Sequence, residues 1–227
     1  MRALIYVPII HTSADLGSLA EDVNKRGIKE LGEKNWKEHL NTVDAFWRTL
    51  ADYFDHLDVA GMKIYQDGLM AEDEIGRVII ETGAICGSKN HELVLSLMKR
   101  GATLVKTEDY KLVKEERDRL LFMAEAKSLV QKLIAFSKYK MVKNRLLKQR
   151  DEYIARRIDE TLGPDEKGIL FIGAYHNLKC RLPKDIRITE IKDVDKVREY
   201  HQLLPYCNNK KERFEKLSKY LISKVAI

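Results

Sequence analysis

The chain has 227 residues, 44% of them hydrophobic and 33% charged, with 12 Gly and 4 Pro; it is long enough to bury a substantial core and too apolar for a disordered chain. Cys86, Cys180 and Cys207 are odd in number and form no Cys-x-x-Cys pair, which excludes a disulfide framework and zinc-finger spacing and predicts reduced thiols in a cytoplasmic setting. The net charge of +6 equals one local run, Lys138, Lys140, Lys143, Arg145, Lys148 and Arg150, with no acidic residue among them, so the rest of the chain is balanced.

The first element is Ala3-Leu4-Ile5-Tyr6-Val7-Pro8-Ile9-Ile10, an apolar run too short for a signal sequence and followed by no small-residue cleavage site; it reads as a strand ending at His11. Thr12-Ser13-Ala14-Asp15 follows as a capping box opening a helix. From Asp15 to Leu57 the pattern is helical, with Val43, Phe46, Trp47, Leu50, Phe54 and Leu57 as a core-facing stripe. Ala60 to Tyr65 is a second strand, closed by the turn residues Gln66-Asp67-Gly68. Met70 to Thr82 predicts a helix, and Ser88-Lys89-Asn90 starts another that Gly101 caps. Ala102 to Lys106 is a third strand, with Thr107-Glu108-Asp109 at its end.

Tyr110 to Leu162 contains neither Gly nor Pro. As one straight helix it would span roughly 80 Å at ~1.5 Å per residue, too long for a domain of this size, so two or three helices are expected. After Gly163-Pro164 comes the most informative stretch, Gly168-Ile169-Leu170-Phe171-Ile172-Gly173-Ala174-Tyr175-His176, which reads as a strand buried on both faces and ending near a histidine. Arg187 to Ile191 alternates as an edge strand, and Val194 to Leu204 and Lys210 to Val225 are amphipathic helices. Strands alternating with helices predict one α/β domain over 1–227, a mixed and largely parallel sheet flanked by helices, with a helical excursion at 110–162. No apolar run approaches the ~20 residues of a membrane span, so no membrane partner is expected.

In such sheets ligands bind beyond the carboxyl ends of the strands. Four ends carry groups suited to ligation or proton transfer: His11, Asp67, Glu108 or Asp109, and His176. Two imidazoles with one or two carboxylates make a first shell for Zn²⁺ or Mn²⁺ that activates water; without a metal the same groups serve as base and orienting acid. The blander readings are a turn role for Asp67, a helix-capping role for Glu108 and Asp109, and packing or surface roles for His39, His56, His91 and His201. Walker, Gly-x-Gly-x-x-Gly, Gly-x-Ser-x-Gly and His-Glu-x-x-His patterns are absent. At ~100° per residue the six charges of Lys138–Arg150 spread round most of a helix, which favours a solvated helix over a nucleic-acid stripe.

Arg150-Asp151-Glu152-Tyr153-Ile154-Ala155-Arg156-Arg157-Ile158, then Gly173-Ala174-Tyr175-His176 and Leu182-Pro183, resemble the end of the TraB/pheromone-shutdown and Tiki-type superfamily, with its erythromycin-esterase-like and ChaN-like relatives. The resemblance spans roughly residues 145–191. It implies that His11 and His176 are paired across one site and that Arg150 points towards it. Two positions depart from the pattern: Pro8-Ile9-Ile10-His11 lacks the Gly, and Gln66-Asp67 stands where the group commonly has a strand-end Glu. The sequence thus supports, in this order, a metal-assisted or His-dependent hydrolase of a small or peptide-like substrate, a non-enzymatic ligand-binding or regulatory protein on the same fold, and a polyanion or nucleic-acid binder acting through Lys138–Arg150.

Overall fold

The computed structural model describes residues 1–15, 20–126 and 128–225. Five strands form one sheet in the order β3-β2-β4-β1-β5: β1 (Arg2–Ile9), β2 (Lys63–Gln66), β3 (Thr103–Val105), β4 (Lys167–Gly173) and β5 (Ile186–Glu190). All the pairings are parallel. The helices are α1 (Ala20–Leu31), α2 (Glu33–Asp55), α3 (Asp73–Ile85), α4 (Lys89–Lys99), α5 (Tyr110–Ala124), α6 (Leu129–Thr161), α7 (Val194–Leu203) and α8 (Lys211–Ile222).

The central strand explains its own composition. β4 is flanked by β1 and β2 and covered on both faces, so Ile169, Leu170, Phe171 and Ile172 are all fully buried and an unbroken apolar run, rather than an alternating one, fits there. Neighbouring positions in register share a face, and successive ones alternate. Tyr65 pairs with Leu170, and its hydroxyl lies 2.9 Å from Thr161 Oγ1 on α6; one residue on, the Phe171 ring packs at 5.8 Å from Phe54 of α2. Hence α2 and the C-terminal half of α6 cover opposite faces. The stripe Val43, Phe46, Trp47, Leu50 and Phe54 is buried as its spacing requires, and Ile154, Ala155, Ile158 and Leu162 do the same work on α6. Each buried Val, Leu, Ile or Phe among them contributes about 1.5–3 kcal/mol by leaving water. Trp47 also donates its indole N–H to Ile10 O at 2.9 Å, pinning the end of β1.

Local chemistry sets the boundaries. Ser88 accepts from His91 N and opens α4, and Gly101, at φ 94°, takes the left-handed conformation just past its end. β2 starts later than its apolar pattern, at Lys63, because Ala60-Gly61 turns the chain: Gly61 has φ 74° and Met62 N donates to Val59 O. α3 starts at Asp73 rather than Met70, after an extended Glu72. The 110–162 stretch is two helices: α5 ends at Ala124, and Ser128 caps the start of α6 in a box with Gln131. Thr12 and Asp15 make the expected local bonds, Thr12 N and Oγ1 both donating to Asp15 Oδ2 at 2.5 and 2.9 Å; the helix that this box would open falls on 16–19, outside the described residues.

Where β2 and β4 lie side by side, the chain leaving β2 turns towards β3 and the chain leaving β4 turns the other way, to β5 beyond β1. Adjacent strands whose connections diverge leave a crevice at their carboxyl ends. Asp67 and Gly173 are at that point.

Candidate functional site

Four segments meet at the crevice. Asp67 follows β2, its N–H bonded to Phe171 O at 2.9 Å, and Leu69 N bonds back to Gln66 O, so Asp67 is a turn residue whose carboxylate also faces the site. Its Oδ2 accepts from Gly173 N at 3.0 Å. Gly173 is needed for that approach, since a Cβ there would lie 3.1 Å from Asp67 Oδ2 and 3.5 Å from His176 Cδ2. Glu108 follows β3, fixed by Thr107 N and Glu108 N donating to Leu69 O at 3.0 and 2.9 Å. His176 follows β4 in a turn closed by His176 N to Gly173 O at 3.0 Å. α6 supplies the fourth segment, Arg150 and Asp151.

Arg150 organises the carboxylates. Nε donates to both oxygens of Glu108 at 3.1 and 3.2 Å, and Nη2 donates to Glu108 Oε1 at 2.5 Å and Asp67 Oδ1 at 2.7 Å. Nη1 donates to Glu116 Oε2 of α5 at 2.5 Å, and Glu116 in turn accepts from the Tyr139 hydroxyl at 3.2 Å. Asp151 holds the histidine: His176 Nδ1 is 2.6 Å from Asp151 Oδ1, and Asn177 N donates to Asp151 Oδ2 at 3.0 Å. This leaves His176 Nε2 facing Asp67 Oδ2 at 3.7 Å.

Burial makes these charges strong. The side chain of Glu108 is fully buried, and those of Asp151, His176, Asp67 and Arg150 are at most 10% exposed. Loss of water pushes the Glu108 carboxyl up to about 7 against the pull of Arg150. For Asp67 burial acts in the same direction but is outweighed by His176, Arg150, His11 and the Gly173 N–H, and its carboxyl stays well below the usual range. His176 would be held neutral by burial, yet Asp67 and the bond to Asp151 raise it above the ordinary imidazole value.

Asp67, Glu108 and His176 each offer one ligand atom within 4.8 Å of one another, the one group able to hold a metal ion among the described residues. The donor set fits a divalent cation: the 3.7 Å between His176 Nε2 and Asp67 Oδ2 is less than the sum of two ligand bonds of ~2.0–2.1 Å. Asp151 stands behind the imidazole as the carboxylate behind a ligating histidine does.

Of the residues singled out from sequence, the structure thus brings together His176, Asp67, Glu108 and Arg150. His11 forms no hydrogen bond or ion pair with them. Its side chain is 48% exposed, Nδ1 is 4.0 Å from Asp15 Oδ2, and it lines a separate cavity of about 330 Å³ with Ser13, Trp36, His39 and Lys89; its charge reaches Asp67 only through space. Asp109 is turned to α5, capping it by accepting from Lys111 N and Leu112 N at 2.8 and 3.1 Å. Asp151 and Glu116 carry no strand-end signal; for Asp151 the adjacency to Arg150 on a helix that packs on the sheet is the available clue. His39 is a packing residue, bonded to the Tyr200 hydroxyl at 2.9 Å. Lys138, Lys140, Lys143, Arg145 and Lys148 are exposed, whereas Arg150 leaves their set to enter the site. No helix of the described residues is long and apolar enough to cross a membrane.

No protein-family model matches the chain, and neither a curated protein nor a solved structure matches it.

Proposed function

We propose that the protein is a hydrolase worked by His176 in one of two states: as a ligand, with Asp67 and Glu108, of a divalent cation, Zn²⁺ or Mn²⁺, or, with no cation bound, as the group that moves the proton. One observation carries the reading: Asp151 grips Nδ1 of a buried histidine at 2.6 Å, so that Nε2 is the nitrogen turned to the strand ends, against Asp67. With Nδ1–H donating to Asp151, neutral His176 keeps its lone pair on Nε2. With no cation on Nε2, it takes a proton from water as the oxygen attacks an acyl carbon, and returns that proton to the leaving group as the acyl bond breaks. Asp67 and Asp151 stabilise the transient imidazolium from its two sides. Arg150 is a positioning residue that keeps Asp67 and Glu108 side by side where two carboxylates would otherwise repel. A cation held by Asp67, Glu108 and His176 Nε2 would instead supply Lewis-acid polarisation and a more acidic water. The substrate would be a small or peptide-like acyl compound.

The test is metal analysis of the purified protein and calorimetric titration with Zn²⁺ and Mn²⁺, followed by a panel of ester, amide and peptide substrates. Support requires turnover that is lost in His176→Gln; one cation per chain, lost with turnover in Asp67→Asn, selects the cation-bound state, and turnover without a bound cation selects the proton-transfer state. A second reading, a ligand-binding or regulatory protein without turnover, is favoured by the near-complete burial of the site; cation binding without turnover on any substrate would select it. Failure of both binding and turnover would leave the cluster a folding device and overturn the proposal.

A further inference from the structure

The N-terminal two thirds of α6 has two unlike faces. Ala135 and Leu146 are buried, Tyr139 bonds to Glu116 of α5, and Arg150 enters the site, so this face is turned inwards. On the opposite face Val130, Leu133, Ile134 and Met141 are 65%, 68%, 48% and 83% exposed. Their spacing of three, one and seven puts them within one stripe at ~100° per residue. Lys138 and Arg145 flank that stripe on one side and Lys140 on the other, all exposed, whereas Lys143 lies nearer the inner face with its Nζ 5.6 Å from the Tyr175 ring centroid. No Asp or Glu occurs from 126 to 150. Arg145 Nη2 is 3.7 Å from Glu115 and Lys148 Nζ is 3.8 Å from Glu152, exposed pairs that solvent screens.

We propose that this outer face of α6 docks on an anionic phospholipid bilayer. Large apolar side chains in water call for a partner, and the charge pattern chooses it. A second copy would set basic rails against basic rails with no acidic residue in the stretch to pair them. Nucleic acid would satisfy the lysines but has no use for Leu133, Ile134 and Met141. An interfacial helix uses both: the apolar stripe sinks ~5–10 Å into the boundary between headgroups and acyl chains while the flanking lysines meet lipid phosphates. The contact is peripheral and does not depend on the chemistry proposed for the strand ends.

The experiment is co-sedimentation of the full chain with vesicles of phosphatidylcholine alone and of phosphatidylcholine with one quarter phosphatidylserine, at low and physiological salt. Binding is expected only to the anionic vesicles and should weaken with salt. Each basic residue near such a surface changes affinity about fivefold, so Lys138→Gln with Lys140→Gln should weaken it roughly 25-fold. Leu133→Asp with Ile134→Asp should abolish it, and circular dichroism should show both variants folded, since all four side chains are exposed. The proposal is overturned by absence of vesicle binding, by binding that ignores the Leu133 and Ile134 changes while tracking a short DNA duplex through the lysine changes, or by light scattering that shows a dimer which Leu133→Asp with Ile134→Asp dissociates.

Discussion

Replacing Arg150 by Met removes the one guanidinium that faces Glu108, Asp67 and Glu116, whose side chains are 0%, 9% and 19% exposed. Breaking a buried ion pair from one side costs about 3–5 kcal/mol because the abandoned charge stays buried. The cost has a pH signature. Burial already raises Glu108 to about 7, above its unfolded value of 4.5, so the stability linked to this group is present below the unfolded pKa and lost as pH rises through the folded one. In the wild type that loss levels off near pH 7. Without Arg150 the folded pKa moves higher, and the variant should go on losing about 1.4 kcal/mol per pH unit above pH 7. Urea unfolding at pH 6 and pH 8 measures both quantities. We expect a deficit of roughly 3–5 kcal/mol at pH 8, shrinking at pH 6, and a partial recovery with Mn²⁺ at about 100 times its Kd, worth up to ~2.7 kcal/mol. A deficit under ~1 kcal/mol that does not vary with pH would refute the assignment of Arg150 as countercharge.

Asp151→Asn should cut turnover by about 10²-fold or more, since with the amide oxygen kept on Asn177 N the NH2 donates to His176 Nδ1 and forces the ring proton onto Nε2, and an unchanged pH–rate profile would remove Asp151 from the mechanism. His39 and His201 are lowered to about 4, chiefly by burial; their stability contribution is present above the unfolded value near 6.5 and lost as pH falls towards 4, at about 1.4 kcal/mol per pH unit for each. Unfolding midpoints that stay flat from pH 7 to pH 5 would contradict this. Gly173→Ala drives a methyl to 3.1 Å from Asp67 Oδ2, so cation affinity should fall at least about tenfold while the urea midpoint moves by less than ~1 kcal/mol equivalent. Ile172→Ala, at a fully buried position, should cost ~2–5 kcal/mol without a specific effect on cation binding.

Those parts of the fold that depend on local chemistry were legible. The run Ile169 to Ile172 announces a doubly covered strand, the Val43 to Phe54 stripe announces a core helix, and Ser88 and Gly101 mark α4. The break between α5 and α6 was written less plainly, in Ser128-Leu129-Val130-Gln131, a capping box with no Gly or Pro beside it. Strand order was out of reach, because β4 inserting between β1 and β2 is settled by crossovers and packing and not by any residue within β4. The same limit explains His11. It follows β1 much as His176 follows β4, but the chain leaving β1 turns into the Thr12–Asp15 bonds, and its imidazole borders α2 without bonding to Asp67, Glu108, His176 or Arg150.

The site also shows why helix residues were harder to read than strand ends. A carboxylate or guanidinium inside a helix is usually solvated, so neither Asp151 nor Glu116 stands out by type. What distinguishes Asp151 is its place directly after Arg150. Consecutive helical residues diverge by ~100°, while neighbouring strands are only ~4.8 Å apart. A helix laid across the β2–β4 junction therefore serves both sides from two adjacent positions: Arg150 reaches Asp67 and Glu108 after β2 and β3, and Asp151 reaches His176 after β4. Because Asp67 also meets His176 across the junction, the two halves close into one charged circuit. Adding a single residue between Leu146 and Arg150 would rotate both side chains by ~100° about α6 and separate the halves together, so loss of His176 orientation and loss of the Glu108 countercharge should appear in the same variant.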